Sequence, residues 1–177
     1  MARVDNLTRE MPANSPDKVK WAKLRELPER DAQDERIRHI AQLLREAAGP
    51  RQSAFVALVH SLARDGIRYV SDTVRTGGED IMGLTRPYTD ALEAYERGAD
   101  DCDAKARFVV ALLIAGGQRA QMVAWWDRKT GELAHVSGEV HVGGNWKHLE
   151  TILSRARLGD EPNDVPPESA TGAWRYS

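Results

Sequence analysis

The chain has 177 residues, enough for one domain with a substantial core and too few for two ordinary ones. Its charged residues, 29% of the total, nearly cancel to a formal net charge of −2, so neither nucleic acid nor an anionic membrane is an expected partner. A single cysteine excludes an internal disulfide and any cysteine-rich zinc site. The first twenty residues hold no apolar stretch resembling a signal peptide, and no segment is long enough to span a bilayer; a cytoplasmic location is expected.

Residues 1–14 are polar, with Pro12 and Asn14 marking a loop, and read as an arm that is flexible or ordered by a partner. Ser15-Pro16 is an N-cap followed by proline at the first helical position. Val19, Ala22, Leu24 and Leu27 then predict a short helix that Pro28 closes. A second helix is predicted from about Asp31 through Ile37, Ile40, Leu43, Leu44 and Ala47 to Gly49-Pro50, with Asp34, Glu35, Arg38, Gln42 and Arg45 on its opposite face. Residues 1–50 are therefore an N-terminal arm with helices, 51–158 the core, and 159–177 an extended tail rich in proline. Within the core, Ser53 is read as the cap of a helix bearing Phe55, Val56, Leu58, Val59 and Leu62 and ending at Asp65-Gly66. His60 lies within it and is expected to be a half-buried structural residue. Ile67–Val70 reads as a short strand, Ser71–Pro87 as a long loop, and Thr89 as the cap of a helix through Ala91, Leu92 and Tyr95.

That helix delivers the chain to Cys102. Phe108, Val109, Val110, Leu112, Leu113 and Ile114 follow at helical spacing, and Gly116-Gly117 stops the helix, so the thiol stands at a helix N-terminus. Unpaired N–H groups and the positive end of the helix dipole favour a thiolate there, whereas Asp100, Asp101 and Asp103 oppose it and read as caps and first-turn dipole partners. The Asp100–Asp103 cluster lacks calcium-loop spacing, so no metal is expected. Gln121–Trp126 is apolar enough for a central strand. In the next segment His135, Ser137, Glu139 and His141 alternate with Val136, Gly138, Val140 and Val142, which predicts a strand with one core face and one polar, more exposed face. Gly143-Gly144 is a two-residue hairpin signal and Trp146–Glu150 the return strand. Centring the turn on the two glycines pairs Val142 with Asn145 and Ser137 with Glu150, which sets Glu150 on the face of His135 and diagonal to it. His141 and His148 share that face and are rival bases.

A thiol at a helix start, a histidine on one strand and a carboxylate on the next are the parts of a cysteine–histidine–acid triad. At these residues the chain resembles the transglutaminase-like superfamily. Asp101-Cys102-Asp103-Ala104-Lys105-Ala106 is similar to its cysteine motif, and His135-Val136-Ser137-Gly138-Glu139-Val140-His141-Val142 with Trp146-Lys147-His148-Leu149-Glu150 is similar to its histidine and acid motifs. The likeness runs from about Val56 to Thr151. Asp100 stands where a glycine is usual, Ser137 where a tryptophan is usual, and Glu150 where aspartate is commoner.

The resemblance implies an α+β, papain-like core, its nucleophile helix packed on a small antiparallel sheet, here with an N-terminal helical extension. It implies Cys102 as nucleophile, His135 as base acidifying the thiol, and Glu150 as orienting acid. Tyr69, Asp103 and His148 are weaker candidates to line the site or supply an oxyanion donor. The implied activity is that of a cysteine hydrolase or acyl transferase acting on the amide bond of a protein or peptide through a thioester, without a cofactor. Compact relatives occur in phage and prophage gene sets, which implies as the alternative a non-catalytic structural or adaptor protein of a virion or tail, docked on other phage structural proteins.

Overall fold

A computed structural model describes residues 7–70 and 91–162. The expected loop over 71–87, the Thr89 cap and the tail beyond Pro162 lie outside the described residues.

The elements in chain order are β1 (Leu7–Thr8), α1 (Lys18–Leu24), α2 (Leu27–Asp31), α3 (Glu35–Ala48), α4 (Gln52–Gly66) and β2 (Arg68–Tyr69). There follow α5 (Ala91–Arg97), β3 (Ala99–Asp100), α6 (Cys102–Ala115), β4 (Ala120–Asp127), β5 (Leu133–Val142) and β6 (Asn145–Leu149). The architecture is α+β. One antiparallel sheet has the order β1-β4-β5-β6, and β2 and β3 form a separate parallel pair.

α6 is the axis of the molecule. Every side chain from Lys105 to Leu113 is buried, because α2, α3, α4 and α5 pack around the helix and the sheet covers its remaining side. A nearly unbroken apolar run is what such a helix needs, since no face of it meets water. Val136, Val140, Val142 and Leu149 point from β5 and β6 into this core together with Phe55, Val59, Phe108 and Leu112. Gly138 sets how close α6 comes to the sheet, for a Cβ there would lie 3.0 Å from Val110 Cγ2. Gly116 does the same against α4, where a Cβ would meet the Phe55 ring at 2.1 Å.

The hairpin turn has Gly143 at φ 62° and Gly144 at φ 83°, the backbone that a two-residue turn between right-twisted strands requires. Its register pairs Val142 with Asn145, as the sequence predicts, and ends with Gly138 opposite Leu149, one step short of the expected Ser137–Glu150 pair.

Several elements differ from expectation. Pro28 does not close the first helix; it occupies the first turn of α2, where its missing N–H costs no hydrogen bond. Asp31 does not open the next helix either. Asp34 caps α3 by accepting from the Arg36 N–H, and Arg51 rather than Ser53 precedes α4. The arm is tied down from Leu7, whose strand pairs with β4 as Leu7↔Asp127 and Thr8↔Trp126. The N-terminal helices share the main core, since Ile37 and Ala41 of α3 pack with the residues of α6.

A buried ion pair strengthens that attachment. Asp31 at the end of α2 accepts from both Nε and Nη2 of Arg107 on α6, the second at 2.9 Å, and both side chains are almost wholly out of water. Removing one partner strands the other's charge in the core. Asp31→Ala is therefore expected to lower the free energy of unfolding by about 3–5 kcal/mol, read from denaturant titration. An unchanged midpoint would contradict this role for the pair.

Candidate active site

Three local structures bring the site together. At the first, β2 and β3 pair Tyr69 with Asp100, and the Val70 N–H donates to the Asp100 carbonyl at 2.9 Å, which fixes the entry to α6. Cys102 is the first residue of α6 and Asp101 its N-cap, the Asp101 side chain accepting from the Ala104 N–H at 3.0 Å. Asp103 accepts from the same N–H at 3.0 Å, and Asp100 accepts from the Asp101 N–H and pairs with Arg97 at 2.9 Å. The three aspartates are thus caps and dipole partners of the helix start, which is the role their positions predict.

The second structure is the end of the hairpin. β6 stops opposite Gly138, so β5 from His135 to Ser137 carries no β6 partner along that side. The Val136 backbone N–H lies near the Cys102 sulfur and favours its thiolate, which puts the thiol beside this stretch, one residue along the chain from His135. Across the vacated positions the Glu150 side chain reaches His135, with Nε2 donating to Oε2 at 2.8 Å and both side chains fully buried. The other carboxylate oxygen, Oε1, accepts from the Ile152 N–H at 2.9 Å.

The third is the turn after β6, where Ile152, Leu153 and Ala156 form a small apolar cluster that both Tyr69 and Cys102 touch. Tyr69 and Cys102 therefore share an apolar neighbour. Glu150 and Asp103 lie near Cys102, His135 is bonded to Glu150, and Tyr69 meets the apolar cluster that the thiol also touches.

Burial pushes the Cys102 thiol well above its usual pKa, and the carboxylates of Asp103 and Asp101 push the same way; the Val136 N–H opposes them. Although the residue as a whole is only half-buried, the sulfur lies on its inner side, against β5. The acidified thiol expected at the helix start is not what this arrangement gives, because desolvation and two flanking charges outweigh the dipole. Burial also works against ionising Glu150, but His135 and the Ile152 N–H outweigh it and hold the carboxyl below its ordinary value.

His148, the expected rival base, lies near Glu150 and His135. Its side chain is buried, 5% of the residue being exposed, and packs edge-on against Trp125 at 5.4 Å between ring centroids. Neither ring nitrogen has a hydrogen-bond partner among the described residues, and burial pulls its pKa down to about 4. His141, half-buried near the hairpin tip, packs against Trp146. Glu139, expected on an exposed face, is only 8% exposed. The Arg9 side chain, just past the edge strand β1, reaches over the sheet's polar face: it pairs with Glu139 at 2.8 Å and lies over Trp125, while Gln121 donates to the other carboxylate oxygen. Ser137, standing where a tryptophan is usual, accepts from the Trp125 indole at 2.9 Å, so a tryptophan from the neighbouring strand fills the space beside His135.

Two buried residues around Glu150 are not expected at the site from the sequence, which reads His60 only as a half-buried structural residue. His60 of α4 reaches the Glu150 backbone carbonyl at 2.7 Å, and Lys105 of α6, 1% exposed, donates from Nζ to the carbonyls of Arg64 and Ile67. Burial lowers the Lys105 pKa to about 8, and the nearby Glu150 charge limits the fall. An ionisable residue at a core position of an apolar helix was the signal for Lys105. His60 gave none, because its partner is backbone.

No family model matches the chain, and no curated protein does. Among solved structures, a candidate protease from Parabacteroides distasonis superimposes with a TM-score of 0.54 at 14% identity, over 73% of this chain and 26% of that one. The periplasmic domain of TgpA from Pseudomonas aeruginosa, bound to ethylmercury, gives a TM-score of 0.48 at 19% identity over 71% and 48% of the two chains. A candidate cysteine protease from Cytophaga hutchinsonii gives 0.44 at 18% over 66% and 37%. The chain thus spans between a quarter and a half of the solved chains it resembles. The α+β fold is shared with the Parabacteroides protein: a helix opening on Cys102 packs on an antiparallel sheet in which β5 carries His135, and Glu150 follows the end of β6. Among the described residues no helix is long and apolar enough to cross a membrane, and no cluster of metal-binding side chains occurs.

The buried neutral histidines make stability depend on pH. Unfolded, His148 binds a proton near pH 6.5; folded, it stays neutral down to about pH 4. A depressed histidine contributes stability above its unfolded pKa and loses it as pH falls toward the folded one, to a limit of about 3 kcal/mol here. His60, whose pKa burial also lowers, adds in the same direction. Urea midpoints are expected to fall from about pH 7 to about pH 5, and to fall less in His148→Leu. Equal pH dependence in the two proteins would contradict the burial of a neutral His148.

Proposed function

We propose that this chain is a transglutaminase-like cysteine hydrolase or acyl transferase that acts on the amide bond of a protein or peptide, or an isopeptide bond, through a thioester on Cys102. The observation that carries the reading is the fully buried His135–Glu150 hydrogen bond of 2.8 Å, together with a helix-start thiol that lies near Val136 and the Glu150 carboxylate. A buried carboxylate bonded to Nε2 fixes the imidazole's orientation and tautomer, which directs Nδ1 to the chemistry.

Because burial and the aspartates hold the thiol protonated, His135 acts as a general base during attack and not as the partner of a standing ion pair. The proton passes from Sγ to His135 Nδ1 as the sulfur's electron pair forms a bond to the carbonyl carbon. The carbonyl π electrons move to oxygen, and the oxyanion faces the Cys102 backbone N–H at the first position of α6, with the Tyr69 side chain as a second donor. Collapse breaks the carbon–nitrogen bond, the imidazolium returns the proton to the departing amine, and the acyl group stays on sulfur. Water or a second amine then releases it, which separates hydrolysis from transfer. Glu150, ionised throughout, stabilises the imidazolium.

A substrate of known identity is not needed for the test. With p-nitrophenyl acetate as acyl donor, mass spectrometry is expected to find the acetyl group on Cys102, with nitrophenolate released beyond one equivalent as the thioester turns over. His135→Ala is expected to slow acylation about 100- to 10,000-fold with the fold intact. Acylation at the same rate in His135→Ala, or an acetyl group located elsewhere, would overturn the reading.

A further inference from the structure

We propose that His60 is a positioning residue for the site: by donating its Nε2–H to the Glu150 backbone carbonyl, it fixes the turn that aims the Glu150 carboxylate at His135. The inference rests on the reading of Glu150 as the orienting acid and adds the element that holds it.

Glu150 lies just past the last paired residue of β6, so the β5–β6 ladder does not anchor its backbone. Something else must. The Nε2 of His60 lies 2.7 Å from the Glu150 carbonyl oxygen, both groups buried. An acceptor carbonyl requires Nε2 to carry the proton, so the tautomer is set. One turn along the same face of α4, Arg64 Nη1 donates to the Ala156 carbonyl at 2.9 Å. The two bonds hold the ends of the 150–156 turn against α4, and that turn contains the Ile152 N–H bonded to Glu150 Oε1. α4 is in turn locked to the nucleophile helix, because Lys105, three residues after Cys102, donates to the carbonyls of Arg64 and Ile67. Thus α4 ties the helix of the thiol and the backbone of the acid into one frame. A neutral imidazole suits this role, because burial lowers the pKa of His60 and its single N–H keeps its direction.

The experiment compares acylation of Cys102 by p-nitrophenyl acetate in the wild type, His60→Leu, His60→Gln and His135→Ala, each checked for a cooperative thermal transition. Loss of the bond lets Glu150 drift from His135, so His60→Leu is expected to acylate about tenfold to a hundredfold more slowly. His60→Gln, which keeps an N–H donor, is expected to recover most of that loss, whereas a merely space-filling role would favour leucine. Wild-type rates in His60→Leu alongside slow His135→Ala would overturn the role of His60 and leave the triad standing. Wild-type rates in His135→Ala would overturn the triad itself. Should His60→Leu fail to fold, nitrogen-15 NMR of the wild type decides: a neutral His60 protonated on Nε2 supports the proposal, and an Nδ1–H tautomer or a charged ring at neutral pH overturns it.

Discussion

A carboxylate withdrawn entirely from water must find its compensation in the protein, and here that carboxylate is Glu150. Its two oxygens are taken up by His135 Nε2 and the Ile152 N–H, and Lys105 adds a positive charge nearby. The rest of the site depends on this satisfaction. Without it the acid would take a proton, the imidazole would lose its orientation, and the end of β6 would have no reason to turn where it does. The hairpin glycines matter for the same reason. A slip of one residue in the register they set would carry Glu150 to the core face, against α6, and leave His135 without an acid.

The thiol is placed by a different balance. A helix start alone would acidify Cys102, but the same start is capped by Asp101 and carries Asp103, and α6 is sunk so deeply between sheet and helices that its first side chain shares the burial. Capping stabilises the helix and raises the thiol pKa at once. On the proposed reading, the nucleophile then relies on His135 to remove its proton.

The elements around the hairpin were legible in the sequence because period-two alternation, two glycines and a return strand constrain one another. Cys102, His135 and Glu150 follow from that register and from the helix stop at Gly116-Gly117. What could not be read depends on contacts made by distant residues. Glu139 and His148 looked like members of a wetter face, and nothing local says that Leu7 returns to the sheet edge and Arg9 reaches over that face. Pro28 looked like a helix end, although proline is equally at home in a first turn. Arg107, reading as one polar residue on an apolar helix, is satisfied by Asp31, which lies 76 residues earlier. His60 is invisible for a further reason: its acceptor is a carbonyl, and a carbonyl has no signature in sequence.

The central claim is that His135 alone makes a buried, charge-flanked thiol reactive. The pH dependence of Cys102 alkylation by iodoacetamide, in the wild type and in His135→Ala, tests it most directly. The wild type is predicted to label readily near neutrality. His135→Ala is predicted to label only above the ordinary cysteine value of about 8.5, where burial and the aspartates at last yield a thiolate. The same profile in both proteins would contradict the claim, since Cys102 would then be a structural thiol with no working base beside it.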